Sequence, residues 1–192
     1  MIRYFAYGSD LHRDSIVDWC RFSQRALPRR EELRPAVLAH HRICFPTYDE
    51  FWRGGVADIV PSPGKTVSGA LMELSGHGLE TLERLANRCR ARRTIVRVST
   101  YTGGHPVEAI TFRMGHGDAL HVPPSALYMK RLAEAASEIG LSMMWVMHLH
   151  SFLTLPMTAA DQPVEAPVNE PGFVPRPARR ARPSRPRLLA AL

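Results

Sequence analysis

Lysine is almost missing from this chain. Of 25 basic residues only Lys65 and Lys130 are lysines, and arginine supplies the rest. A bias of that kind follows genome composition as readily as function, so the formal charge of +7 does not by itself point to an acidic partner. Cysteine is also scarce: Cys20, Cys44 and Cys89 are odd in number, far apart and never in a CxxC pair. That pattern argues against a disulfide framework or a zinc knuckle and favours free thiols in a reducing compartment. No window approaches eighteen unbroken apolar residues, so no membrane-spanning helix is expected. The first residues, MIRYFAYGSD, lack the apolar core and cleavage site of a signal peptide, which predicts a cytoplasmic location. No HExxH, CxxC or phosphate-loop pattern occurs, so neither a metal nor a nucleotide cofactor is expected.

What is present is an ordinary globular composition: 192 residues, 45% hydrophobic and 22% charged. The last stretch differs from the rest. Residues 156–192 are rich in Pro, Ala and Arg, have no apolar period and carry +3 of the net charge. A disordered tail is predicted there, following one domain over residues 1–155. Its run Arg176 to Arg187 lacks interleaved aromatics, so no nucleic-acid partner is expected.

The first domain alternates short strands with helices. Ile2 to Tyr7 reads as a buried strand, and Asp10 is placed to cap a helix through Ile16, Val17 and Trp19. A strand over Ala36 to Tyr48 follows. Pro61-Ser62-Pro63-Gly64 predicts a turn between a strand ending at Val60 and a returning strand over Thr66 to Leu74. Leu79, Leu82, Ala86 and Cys89 recur at helical spacing, which predicts an amphipathic helix over Gly78 to Cys89. Two more strands, Thr94 to Tyr101 and Pro106 to Phe112, flank Gly103-Gly104. Ser125 opens a helix that Gly140 stops, and Ser142 to Leu155 is apolar enough to be a packed closing helix or an interface. The class is α+β: a small mixed or antiparallel β-barrel flanked by helices.

Histidine offers little. His40 and His41 are adjacent on a strand and cannot grip one ion together; His148 and His150 are two apart on a helix. His116 and His121 flank a loop. Cys44 and Cys89 fit apolar faces better than a nucleophile's surroundings.

Four segments stand in a fixed order: YFAYGSD at 4–10, GGVADIVPSPG at 54–64, the LERLAN run from Leu82 to Asn87, and PPSALY at 123–128. Together they resemble the γ-glutamylcyclotransferase family. Its pattern is YFAYGSN, then GG-x-A-x-I-x-x-SPG, then LD-x-x-EG, then PPS-x-x-Y. The resemblance implies a barrel fold over about Ile2 to Leu155. It also implies an enzyme that cleaves a γ-glutamyl amide without water: the substrate's α-amine attacks its own γ-carbonyl, closing 5-oxoproline and expelling an amine. Holding both groups of one molecule in attack geometry removes about 7–11 kcal/mol of barrier in favourable cases. The rest is a proton shuttle and donors for the oxyanion.

A strand-to-helix turn with Gly8 can aim successive N–H groups at an anion. By the resemblance Tyr7, Gly8, Ser9 and Asp10 line the substrate cradle, and Tyr128 lies near it. Two departures matter. Asp10 stands where the family has Asn. The family's proton-transferring Glu falls on Ala86, which carries no titratable group, and Arg93 falls on an aromatic position. Candidate substitutes are Glu83, one turn earlier on the helix, and Asp58, on the central strand. The expected partner is a small γ-glutamyl-like molecule, with the protein a monomer or homodimer. A binding protein that kept the cradle and lost the chemistry is the alternative.

Overall fold

The computed structural model describes residues 1–28, 33–115 and 121–156. The predicted tail therefore lies almost wholly outside the described residues, as do Arg29 to Glu32 and the loop that holds His116.

Five strands close a barrel in the order β1-β3-β2-β4-β5. They are β1 (Ile2–Ala6), β2 (Arg34–Asp49), β3 (Gly54–Leu74), β4 (Arg92–Thr100) and β5 (Val107–Arg113). β1 runs antiparallel to β3, from Ile2↔Leu74 to Ala6↔Ala70, and meets β5 in parallel at Tyr4↔Ile110. With neighbours on both edges and both faces covered, Tyr4, Phe5 and Ala6 are all buried. β4 and β5 form a hairpin from Arg92↔Arg113 to Val98↔Val107, and β2 closes the circle through Ala36↔Thr100 and Val37↔Ser99. The class predicted from sequence, an α+β barrel, is the one observed.

The turn predicted at Pro61 to Gly64 is not there. β3 is one strand, and it pairs with β2 on both sides of that segment, through His41↔Pro61 and Ala39↔Thr66. Residues 62–65 bulge out opposite His40 alone. Pro61 and Pro63 have no N–H for the ladder, so pairing is interrupted, yet the chain resumes on the same partner. His40 (φ 58°) and Gly64 (φ 77°) absorb the kink in the left-handed region.

Four helices flank the barrel: α1 (Arg13–Phe22), α2 (Gly76–Asn87), α3 (Ala126–Glu138) and α4 (Met143–His150). Asp10 does not cap α1. His12 does, its Nδ1 accepting from the Ser15 N–H at 3.3 Å, because Asp10 is engaged elsewhere. Ser75 caps α2 and Ser125 caps α3, each hydroxyl accepting a backbone N–H, at 3.1 and 3.2 Å. Such caps contribute about 0.5–2 kcal/mol apiece. α2 starts and ends two residues before the predicted bounds. α4 is shorter than the predicted closing helix; it buries Trp145 and Leu149 and exposes Met143, Met144 and Met147. Among the described residues no helix is long and apolar enough to cross a membrane.

Two sequence motifs 70 residues apart meet directly. A Cβ added to Gly54 would lie 2.4 Å from the Ser125 nitrogen, and one on Gly55 would lie 2.0 Å from the Val122 carbonyl oxygen. Only a residue without a side chain lets these backbones touch. The contact is sealed by Gly55 N–H to the Pro123 carbonyl at 2.9 Å and by Val122 N–H to the Phe45 carbonyl at 2.8 Å.

Candidate functional site

The turn after β1 borders a cavity of about 80 Å³. Tyr7, Gly8, Ser9 and Asp10 form one wall and Tyr4 and Phe112 of the barrel another; Leu82, Leu85 and Ala86 of α2 close it. The space is that of roughly two to three waters. A ligand therefore enters head-first and leaves its remainder outside.

The turn carries an anion of its own. The Asp10 carboxylate folds back over it: Oδ1 accepts the Gly8 N–H at 2.9 Å and Oδ2 accepts the Tyr4 hydroxyl at 2.5 Å. The Leu11 N–H is tied to the Gly8 carbonyl at 3.0 Å. Gly8 is not in the left-handed region, and a Cβ there would meet the Tyr128 hydroxyl at 3.4 Å, an ordinary contact. Its role is space for Asp10 and Tyr128 rather than an unusual φ.

Tyr128 is buried behind the turn and is not part of the cavity wall. Its hydroxyl accepts the Ala57 N–H at 3.0 Å, so the phenol ties α3 to β3. The resemblance puts Tyr128 near the cradle; here its hydroxyl accepts a backbone N–H and does not border the cavity. Tyr7 reaches the other way, donating to the Phe112 carbonyl at 2.6 Å, with Asp58 Oδ1 at 3.4 Å. Burial pushes the phenols of Tyr4, Tyr7 and Tyr128 well up; Asp10 reinforces this at Tyr4 and Asp58 at Tyr7. All three therefore stay protonated at neutral pH and serve as donors or dipoles, not bases.

Of the candidate carboxylates, Asp58 points inward and is fully buried. It does not border the cavity. It accepts the N–H of Ile59 at 2.8 Å, of Met114 at 3.1 Å and of Gly115 at 3.3 Å, clamping the exit of β5 to β3. Strand alternation could not foretell this, because Gly54 to Val60 is buried on both faces. Glu83 lies on the outer side of α2, with Oε2 2.8 Å from Arg93 Nη2, and is likewise absent from the wall. Arg93 stands opposite Phe112 in the β4–β5 ladder, so this ion pair flanks the cavity from outside. Ala86 is half-buried and does border the cavity, as Asp10 does.

Tyr4 was not singled out from sequence as a site residue. Its signal is its position: six residues before Asp10, on the strand that leads into the turn. Asp49 was missed as well. Nearly buried, it accepts from Arg88 Nη2 at 3.1 Å, from the Trp52 N–H at 3.1 Å and from the Cys89 thiol at 3.6 Å. Burial, with Asp49 adding to it, pushes the Cys89 thiol up to about 12, and burial with Asp58 raises Cys44 to about 11. Neither is poised as a nucleophile. Among the described residues no group of three or more His, Cys, Asp or Glu side chains could hold a metal ion. His121 packs its ring edge-on to Phe45 instead.

Comparison with known proteins bears on the family and the fold. A family model described as gamma-glutamyl cyclotransferase, AIG2-like, matches residues 4–130. A gamma-glutamylcyclotransferase from Bos taurus is 27% identical over 153 residues, which cover 77% of each chain. A solved gamma-glutamyl cyclotransferase structure superposes with a TM-score of 0.69 at 24% identity, covering 82% of this chain and 90% of the other. YkqA from Bacillus subtilis follows with a TM-score of 0.61 at 24% identity, covering 80% of this chain and 55% of that one.

Proposed function

Since the chain belongs to the gamma-glutamyl cyclotransferase, AIG2-like family, we propose that it cleaves a small γ-glutamyl amide or amino-acid conjugate by internal cyclisation, releasing 5-oxoproline and a free amine. The observation that carries this is the cavity between the Tyr7-Gly8-Ser9-Asp10 turn and the inner face of α2. A recess of that size grips one end of a γ-glutamyl group rather than the whole of it, and leaves the departing amine outside. Intramolecular attack draws its rate from positioning, and a cavity walled by buried aromatics and a pinned turn is a positioning device. The reaction needs no cofactor. The protein works on a small molecule in the cytoplasm, as a monomer or homodimer.

A second reading has its own observation. Ala86 brings no carboxylate to the cavity from α2, so a binding protein for a γ-glutamyl-like ligand would need nothing more than this wall. The two are separated by mass spectrometry of the purified protein incubated with a panel of γ-glutamyl amines and dipeptides. Release of 5-oxoproline is expected. Ligand retention without any 5-oxoproline would replace the enzyme by the binding protein.

A further inference from the structure

A second cleft, of about 490 Å³, lies between α4 and the kinked stretch of β2 and β3, and shares no residue with the cavity at the turn. Among the described residues that border it the titratable ones are Arg42, Lys65 and His148, and no Asp or Glu joins them. Three elements supply them: β2 gives Arg42, the bulge in β3 gives Lys65, and the last turn of α4 gives His148. Arg42 already has an interaction of its own and adds its charge to the others. Burial, and then the nearby Lys65 ammonium, hold the His148 imidazole below its ordinary range. An anion lodged beside both reverses the effect of Lys65 and favours the charged imidazole.

The walls of this cleft are held in place. The Tyr101 hydroxyl donates to Ser68 Oγ at 3.1 Å and accepts the Ser142 N–H at 3.2 Å, which fixes the start of α4 against β3. The Ser142 hydroxyl oxygen accepts the Trp145 N–H at 3.3 Å. The Gly64 N–H donates to His40 Nδ1 at 3.4 Å, which steadies the bulge beside Lys65. His148 lies between two aromatic rings, 5.3 Å from that of Trp145 and 5.0 Å from that of Phe152 between centroids. Ser68 and Ser142 act as acceptors in these contacts, so each hydroxyl keeps its own hydrogen for a ligand, and the Thr66 hydroxyl borders the same space. We propose that this cleft binds a small phosphate monoester, its phosphate between Lys65 and His148 and its carbon part against Ile43, Trp145 and Phe152. A phosphate monoester brings a charge of about −1.5 to −2 and three strong acceptor oxygens, which matches several cationic side chains and hydroxyl donors better than the single charge of a carboxylate. The volume lies within the range of about 300–1,000 Å³ usual for small-molecule sites and leaves room beyond a bare phosphate, where the apolar wall stands.

The test titrates the full chain with phenyl phosphate, inorganic phosphate and benzoate at low salt, where screening is weak. The readout is the indole N–H signal of Trp145 in NMR, assigned with Trp145→Phe. Phenyl phosphate is expected to move that signal saturably and to leave those of Trp19 and Trp52 in place. Inorganic phosphate should act at the same signal more weakly, and benzoate more weakly still. Lys65→Ala and His148→Ala, both at exposed positions, are each expected to weaken phenyl phosphate roughly three- to tenfold. Lys130→Ala, which removes the other lysine of the chain from α3 outside the cleft, should leave the affinity unchanged. No movement of the Trp145 signal with phenyl phosphate would overturn the site. Benzoate binding as tightly as phenyl phosphate would overturn the assignment to phosphate. Equal weakening by Lys130→Ala and Lys65→Ala would reduce the effect to overall charge and overturn the site as well.

Discussion

Removing the Asp58 carboxylate should unfold this protein readily, and the size of the loss follows from what it holds. Its two oxygens accept three backbone N–H groups, from Ile59, Met114 and Gly115, at 2.8, 3.1 and 3.3 Å, in a fully buried position. Asp58→Ala leaves those donors facing a void. An unsatisfied buried donor costs about 1–3 kcal/mol, and three around one cavity do not add fully, so a loss of about 3–5 kcal/mol is expected. For a domain of this size each kcal/mol moves Tm by about 2–4 °C, which gives a fall of roughly 6–20 °C. Asp58→Asn keeps one acceptor oxygen but turns an NH₂ toward backbone donors, and should fall between wild type and Asp58→Ala. Thermal unfolding followed by circular dichroism, with urea titration to confirm the free energy, measures both. A Tm for Asp58→Ala within about 2 °C of wild type would refute the clamp, because the buried Ile59 N–H would lose its acceptor and the end of β5 its tie to β3. Asp58 also lies against the Tyr7 hydroxyl, so any turnover lost in a folded Asp58→Asn reports loosening of the turn.

Tyr128→Phe removes the acceptor of the buried Ala57 N–H. It is expected to cost about 1–3 kcal/mol in urea unfolding and to speed hydrogen exchange at Ala57 specifically; unchanged exchange there would show that the phenol does not hold this part of β3. The Glu83–Arg93 pair is partly exposed, its side chains 32% and 46% accessible. A double-mutant cycle should return a coupling of only about 0.2–1 kcal/mol, shrinking with added salt; a coupling well above that range, insensitive to salt, would mean the pair is buried by something else in solution.

Much of the fold could be read from the sequence because its elements depend on local pattern. The first strand, the apolar stripe of α2 and the Ser125 cap of α3 are written in neighbouring residues. The features that could not be read depend on partners far along the chain. Pro61-Ser62-Pro63-Gly64 has the composition of a turn and equally of a bulge; only the continued pairing of β2 decides between them. Alternation leaves the side of Asp58 undecided because β3 is covered on both faces there, so period two carries no information about exposure. Asp10 resembles a helix cap by position. It folds back because the Tyr4 hydroxyl and the Gly8 N–H together outbid the helix terminus, which His12 then serves. The place of Ala86 in the cavity wall was legible, since helical spacing set it on the inner face; the folding back of the Asp10 carboxylate onto Gly8 and Tyr4 was not.

The meeting of Gly54 and Gly55 with residues 122–125 also fixes an order of events. Synthesis delivers the N-terminal turn first and the α2 wall next, but Pro123 and Tyr128 emerge only after all five strands; both tie down β3, and Tyr128 also packs behind Gly8 of the turn. A chain stopped before them would own every barrel strand and every residue bordering the cavity, and would still lack the hydroxyl that holds the Ala57 N–H and backs the turn. The recess is therefore the last part of the domain to become rigid, and a partly made chain has a soft pocket. Loop closure over such a span is slow compared with the local hairpin of β4 and β5, so competence to bind should trail barrel formation when the protein refolds.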